Sequence, residues 1–291
     1  LKLIGSASGK IILTGEYAVV FGYPGIAIPS PLNVTSEFEE DRNCDGIEVE
    51  WEEIKGDANW NAYLKDILNQ IQRFKGKIIQ GRLKITNEIP LGKGMGSSTS
   101  LIIAISKCFL GNKSKSEALA IEKSLSPHNS GIDFNVIWEN SPILYKKEEG
   151  FTPIELPDDI LKDAILIDTG KPNETTSELV DIVTKLRESD PKIEDALKQI
   201  AECTQRLIDK DDFESIIKDN YQSQLLLGIV PKPVQDLIAE IESSGGSAKV
   251  LGAGGRTGGG GMALVIHKKS GFLKDFTSKH QLKYYRLQST A

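Results

Sequence analysis

The stretch IPLGKGMGSSTS, residues 89 to 100, joins a strand-like alternation at Leu83 and Ile85 to a helix-like apolar run from Leu101 to Leu110, a join at which a chain often cradles phosphate. Glycine lacks a Cβ, so it takes up left-handed turns and lets backbone come close to a ligand. Gly94 and Gly96 therefore leave main-chain amides free to face an anion, while a helix opening near Ser97 presents unpaired N–H groups and a partial positive charge. Ser97 or Ser98 would then reach a magnesium ion. A glycine turn closed by a serine N-cap is the plainer alternative. The order differs from the common phosphate loop, GxxxxGK followed by Ser or Thr, because Lys93 precedes Gly94 instead of standing before the serines. Any ATP site built here is of another kind.

Three further stretches bear on chemistry. SGKIILTGEYAVVFGYPGIAI, residues 8 to 28, could set Lys10 and Glu16 at the mouth of a cleft, although alone it reads as a strand and a turn. GAGGRTGGGG, residues 252 to 261, lies between SAKVL and MALVIH, which look like buried strands of one sheet. So many glycines cost chain entropy unless the backbone must be bare or bent, and a mobile linker is the less attractive reading. ALAIEKSLSPHNSGIDF, residues 118 to 134, puts Glu122 on a helix and Asp133 in a turn after Ser130-Gly131. Phosphoryl transfer from ATP needs a glycine cradle, a magnesium ligand, a cation and a group to orient or deprotonate the acceptor hydroxyl. Ser97, Glu122, Lys10 and Asp133 could fill those roles. His128, His267 and His280 fall in a turn, on an amphipathic strand and at a helix end, and no GxSxG elbow is present.

The order of elements predicts an α+β protein. Short β-rich runs separated by Gly, Pro and Asn fill the first fifty positions and read as an antiparallel sheet. Trp60, Tyr63, Leu64, Ile67, Leu68 and Ile71 recur at helical spacing over about 58 to 74. RLKITNEIP reads as a strand, and two helices follow the glycine loop, the second opened by Ser114 with Glu117 in capping-box spacing. Beyond Pro153 and Pro157 come a strand, a helix, a long helical stretch over 193 to 227, another helix, two strands around the glycine loop, a helix and a strand. These prolines mark a crossover between halves expected at 1–150 and 151–291. With 291 residues, 41 of them acidic and 35 basic, the net charge is −6, which argues against nucleic acid or an anionic membrane as partner and favours a small-molecule substrate. Three scattered cysteines without metal spacing, and no apolar run long enough to span a bilayer, point to a reducing cytoplasm.

Taken together, the four stretches resemble the GHMP kinase superfamily. The pattern PGKxILxGEHxVVxG is similar to SGKIILTGEYAVVFG, PxGxGLGSS to PLGKGMGSS, ExxxHGxPSGIDN to EKSLSPHNSGIDF, and KLTGAGGGGCAI to KVLGAGGRTGGGGMAL, while LIDTGKPNETTSELV resembles the segment ending in TxExV. The likeness covers nearly the whole chain in the right order. Departures are Ser8 for the proline, Tyr17 for the histidine of GEH, Ser126-Pro127 for His-Gly, Phe134 for Asn, and the interruption by Arg256-Thr257.

The resemblance implies a two-domain fold, with an N-terminal half like the second domain of ribosomal protein S5 and a ferredoxin-like C-terminal half. It implies ATP and Mg2+, with Ser97 and Glu122 as metal ligands, Asp133 as catalytic base and Lys10 as its paired lysine. Lys93, Gly94, Met95, Gly96, Ser97, Ser98 and Thr99 would bind ATP, and Glu16, Tyr17, Thr176, Gly254 and Gly255 would lie near the acceptor. The activity implied is phosphorylation of the primary hydroxyl of mevalonate, with phosphomevalonate or the small-molecule substrate of another GHMP kinase as the alternative acceptor and a homodimer left open as an assembly. Lys93, Lys171 and Arg256, near these loops in sequence, would favour the phosphorylated acceptor. A nucleotide-binding regulator without catalysis is the reading from a different class.

Overall fold

Strand β2 (Gly25–Glu40) is the spine of the first of two sheets in the computed structural model, which describes residues 2–127, 129–157 and 159–287. One edge of β2 carries β1 (Lys2–Thr14) along almost its whole length; the other carries β4 (Gly81–Asn87) and β5 (Ile143–Lys146) at opposite ends. β3 (Ile47–Glu50) and β6 (Gly150–Pro153) complete the six strands. The first fifty residues therefore form fewer and longer strands than their Gly and Pro punctuation predicts. The ladder between β1 and β2 breaks at Gly9, where the register jumps from Ser8 opposite Asn33 to Lys10 opposite Pro29 and β2 bulges through Ser30, Pro31 and Leu32. β3 departs from the antiparallel expectation, pairing parallel to β4.

Helices cover the inner face of this sheet. α1 (Ala58–Lys75) opens on Asp57, whose carboxylate accepts from the amides of Asn59 and Trp60, and buries Leu64, Ile67, Leu68 and Ile71 at the predicted spacing. α2 (Ser97–Leu110) is buried on nearly every side and lies hard on β1. A Cβ on Gly5 would stand 2.2 Å from the Ala104 carbonyl oxygen, so this contact admits only glycine. α3 (Lys115–Leu125) lacks the predicted capping box; the Ser114 hydroxyl donates to the Gly111 carbonyl instead. After α3 the chain forms a third helix, α4 (Ile132–Glu139), where a turn was expected.

The second sheet has the order β10-β7-β9-β8, all antiparallel, from β7 (Ala164–Asp168), β8 (Ser247–Val250), β9 (Met262–Ile266) and β10 (Tyr284–Arg286). Five helices accompany it: α5 (Thr176–Ser189), α6 (Pro191–Ile208), α7 (Phe213–Leu226), α8 (Lys232–Ser243) and α9 (Ser270–Lys279). The predicted stretch 193 to 227 breaks at Asp209–Asp212, where Lys210 has φ 63 and the Asp212 carboxylate accepts from the amide of Ser215 to start α7. Side chains alternate across β7 and β9. Leu166 and Leu264 join the core beneath the first sheet, while Ile167, Ala263 and Val265 pack with Leu179, Ile200 and Ile238 in a second core. Tyr17 and Ala18, just past β1, also belong to the second core, so the halves interlock.

Candidate active site

The register break at Gly9, opposite the bulge of β2, sets the place of Lys10. A Cβ at Gly9 would lie 2.7 Å from Ser30 Oγ, and past the break the Lys10 amide donates to the Met95 carbonyl oxygen (3.0 Å), outside the ladder. Strand β1 is thereby tied to the glycine loop. The Lys10 side chain is 3% exposed and its Nζ stands 3.2 Å from Asp133 Oδ1. Asp133 occupies the first turn of α4, a position that favours a carboxylate, and α4 begins at Gly131 in the left-handed region with φ 98. The Tyr145 hydroxyl donates to the Ser130 carbonyl and steadies that entry.

The cradle stands against this pair. Gly92, Gly94 and Gly96 all have positive φ, and Gly96 is the N-cap of α2 with no side chain capping the first-turn amides. A Cβ on Gly96 would meet Lys10 Cγ and Ile137 Cδ1, each at 3.0 Å, and one on Gly94 would meet the Leu251 carbonyl oxygen at 2.5 Å. The first glycine loop is thus wedged between the Lys10–Asp133 pair and the second glycine loop. Ser97, 7% exposed, accepts from the Gly92 amide through Oγ (3.2 Å). Lys93 is engaged elsewhere: its Nζ pairs with Asp168 Oδ2 at 2.5 Å and its carbonyl accepts from the Met262 amide, which stitches the loop to the second sheet.

Glu122 projects from α3 with Oε1 accepting from Thr99 Oγ1 (2.8 Å) and Asn129 Nδ2 (2.7 Å). Its Oε2 is buried without a hydrogen-bond partner, and burial pushes its carboxyl above the usual range against the pull of those two donors. An unpartnered carboxylate oxygen beside an anion cradle suits a hard cation that prefers oxygen ligands. Among the described residues no cluster of three or more His, Cys, Asp or Glu side chains forms a cation cage by itself, so phosphate oxygens would have to complete the shell.

One cavity of about 500 Å3 gathers these groups. Lys10, Glu16, Tyr17, Lys93, Gly94, Gly96, Ser97, Ser98, Glu122, Asp133, Thr176 and Gly254 all line it. Met95, Thr99 and Gly255 do not: Met95 is fully buried, Thr99 serves Glu122, and the Gly255 amide donates to the Ile229 carbonyl. Tyr17, at φ 60, donates its hydroxyl to the Ala253 carbonyl oxygen (2.7 Å); burial first and the charge of Glu16 second push its phenol above the ordinary value. Thr176 opens α5, but the helix is capped by Thr175, which forms a complete capping box with Glu178. Lys171 lines the cavity over Gly92 and Arg256 does not. His267 and His280 lie with Ser244 and Glu240 away from the cavity, and His128 is outside the described residues.

Sequence reasoning missed the partners of these groups. Glu16 is not directed at open space: its carboxylate pairs with Lys249 on β8, both side chains fully buried. Lys249 stands in the third quoted motif, and the only signal for it was a lysine inside an otherwise apolar strand. Glu174 accepts from Thr257 Oγ1 (2.7 Å) and from the amides of Arg256 and Thr257. Those bonds outweigh its desolvation and hold it below the usual carboxylate range. They fasten the segment before α5 to the second glycine loop.

Residues 62–133, from α1 to the aspartate of α4, match the family described as GHMP kinases N terminal domain. The chain is 29% identical over 316 residues to a mevalonate kinase of Thermococcus sibiricus, covering 93% of this chain and 91% of that one. Its fold superposes on the crystal structure of the Methanococcus jannaschii mevalonate kinase with a TM-score of 0.82 at 20% identity, covering 99% of both chains. A structure of L. major mevalonate kinase in complex with R-mevalonate gives a TM-score of 0.80 at 19% identity, covering 100% of this chain and 97% of that one. The chain is therefore similar to GHMP kinases, and to mevalonate kinases among them, over most of its length. Kinases of this kind use ATP.

Proposed function

We propose that this chain is an ATP-dependent kinase that phosphorylates the primary hydroxyl of mevalonate, giving 5-phosphomevalonate. The observation that carries the reading is the Lys10–Asp133 pair packed against Gly96, at the start of the helix that would hold the phosphates. In this reading residues 1–150 supply the cradle and the base, and residues 151–291 supply the second glycine loop that closes over them. The amides at Gly94, Gly96 and the first turn of α2 face the triphosphate; Met95 and Thr99 serve by shape and through Glu122. Tyr17, Thr176 and Gly254 border the acceptor side, while the Glu16 carboxylate is held in its buried pair with Lys249. Ser97 and Glu122 are the residues that would hold Mg2+, which when bound supplies charge neutralisation at the phosphate oxygens.

The chain's own groups then divide the work. The acceptor oxygen forms its bond to the γ-phosphorus as the bond from that phosphorus to ADP breaks, and the hydroxyl proton passes to Asp133. A carboxylate is a far weaker base than an alkoxide, so it takes the proton late, when the oxygen is already bonding to phosphorus. Lys10 sets a positive charge beside Asp133 and beside the equatorial oxygens of the group in flight. No helix among the described residues is long and apolar enough to cross a membrane, and the three cysteines are free and buried, which supports a reducing cytoplasm for this reading.

The experiment is a coupled ADP-release assay offered mevalonate and phosphomevalonate separately. Turnover with mevalonate is expected. Turnover with phosphomevalonate alone would move the assignment to the phosphate-monoester acceptor, and ATP binding without turnover on either would favour a regulator.

A further inference from the structure

The Glu16–Lys249 pair is the most deeply buried charge in the molecule that the mechanism above leaves without a task. Both side chains are fully buried, Glu16 at the end of β1 and Lys249 on β8 of the other sheet. Glu16 Oε2 has no hydrogen-bond partner. A buried ion pair seldom adds stability over an apolar pair of the same shape, because desolvation cancels the attraction. Stability therefore does not account for two charges in this wall. Their position suggests what does: Glu16, the partner of Lys249, lines the same cavity as Lys10.

We infer that Lys249 is a positioning residue, which neutralises Glu16 behind Lys10 and so leaves the Lys10 ammonium to Asp133 and the transferring group. The inference rests on the kinase reading above. The groups around the pair are few. Asp133 faces Lys10 from α4, with Glu122 on α3 and Tyr145 on β5 beyond it; Tyr17 follows Glu16 in the chain, and the Cys203 thiol on α6, which burial pushes up to about 11, stays uncharged. Without the charge on Lys249, Glu16 loses its ion-pair partner, and Lys10, which lines the same cavity, is the cation left to answer it. Lys10 then turns from Asp133, and the loss falls on the chemical step while the nucleotide and acceptor still bind.

The test is steady-state kinetics of Lys249→Gln, which keeps a hydrogen-bond donor for Glu16 and removes the charge, beside the double variant Glu16→Gln with Lys249→Gln. We expect the single variant to lose about 30-fold or more in kcat, with both KM values within about twofold of the parent, as for an interaction made in the transition state. The double variant has no stranded carboxylate and recovers most of that rate. A single variant with parental kcat overturns the inference, and so does a folded double variant as slow as the single one, since Lys249 would then be acting directly. Should the single variant not fold, the double variant decides, and a kcat below about a tenth of the parent's overturns the proposal. Absence of turnover in the parent protein would instead count against the kinase reading itself.

Discussion

Asp133 and Glu122 share one cavity yet meet different surroundings, and the difference sorts their roles. Asp133 keeps 29% of its side-chain exposure and has a lysine at 3.2 Å; Glu122 is 4% exposed, offers one oxygen to Thr99 and Asn129, and leaves the other unpartnered. The first suits proton transfer and the second suits a cation. Replacing Asp133 by Asn keeps the shape and removes the proton acceptor, so kcat is expected to fall by about 10²–10⁴ while nucleotide affinity, read by a fluorescent analogue, stays near the parent value. Near-parental turnover would strip Asp133 of its role. Glu122→Gln keeps the bonds to Thr99 or Asn129 in part but offers a neutral oxygen, and the Mg2+ concentration for half-maximal rate should rise by about tenfold, in line with the loss of a charged ligand. An unchanged metal titration would remove Glu122 from the cation site.

At the scale of elements, the site depends on how tightly α2 lies against β1. Gly5 is far from the cavity in sequence, but a Cβ there would stand 2.2 Å and 2.3 Å from backbone atoms of Ala104 and Cys108, so Gly5→Ala must push α2 outward. Overpacking of this kind costs about 1–3 kcal/mol. The variant should melt earlier by calorimetry and bind nucleotide more weakly, because the amides of the first turn move with the helix; parental affinity would mean that α2 is not the cradle. This contact was invisible in the sequence, as a strand glycine shows that something approaches but never what. Other features were legible where a local pattern had one physical meaning: the four buried positions of α1 and the left-handed turns at Gly94 and Gly96 before α2. The capping boxes show why pattern alone falls short. Ser114 and Glu117 have the spacing, but Ser114 sits at φ −82, ψ 31, where its hydroxyl finds the Gly111 carbonyl; Thr175, at φ −78, ψ 160, is extended and makes the box with Glu178. Helix α4 escaped notice because its eight residues bury Ile132, Phe134, Val136 and Ile137 on more than one face and leave no period to read.

For the whole molecule, the spacing of motifs along the chain says nothing of how the halves are joined, and the joint is where the cavity lies. Gly94 packs on the Leu251 carbonyl, Lys93 pairs with Asp168, Thr204 on α6 donates its hydroxyl to Thr14 on β1, and Tyr17 and Ala18 sit in the core beneath α5 and α6. Conversely, Leu166 and Leu264 of the second sheet pack in the core of the first. Neither core is complete without residues from the other half, so exposing one strips apolar cover from the other. Unfolding should therefore be a single cooperative transition, with calorimetric and van't Hoff enthalpies in agreement. Because the nucleotide would contact loops fastened to both sheets, ATP with Mg2+ at about a hundred times its Kd should raise the unfolding free energy by about 2.7 kcal/mol and displace that one transition as a unit. Two separated transitions, only one of them moved by ATP, would show instead that the halves melt independently and that the nucleotide is held by a single half.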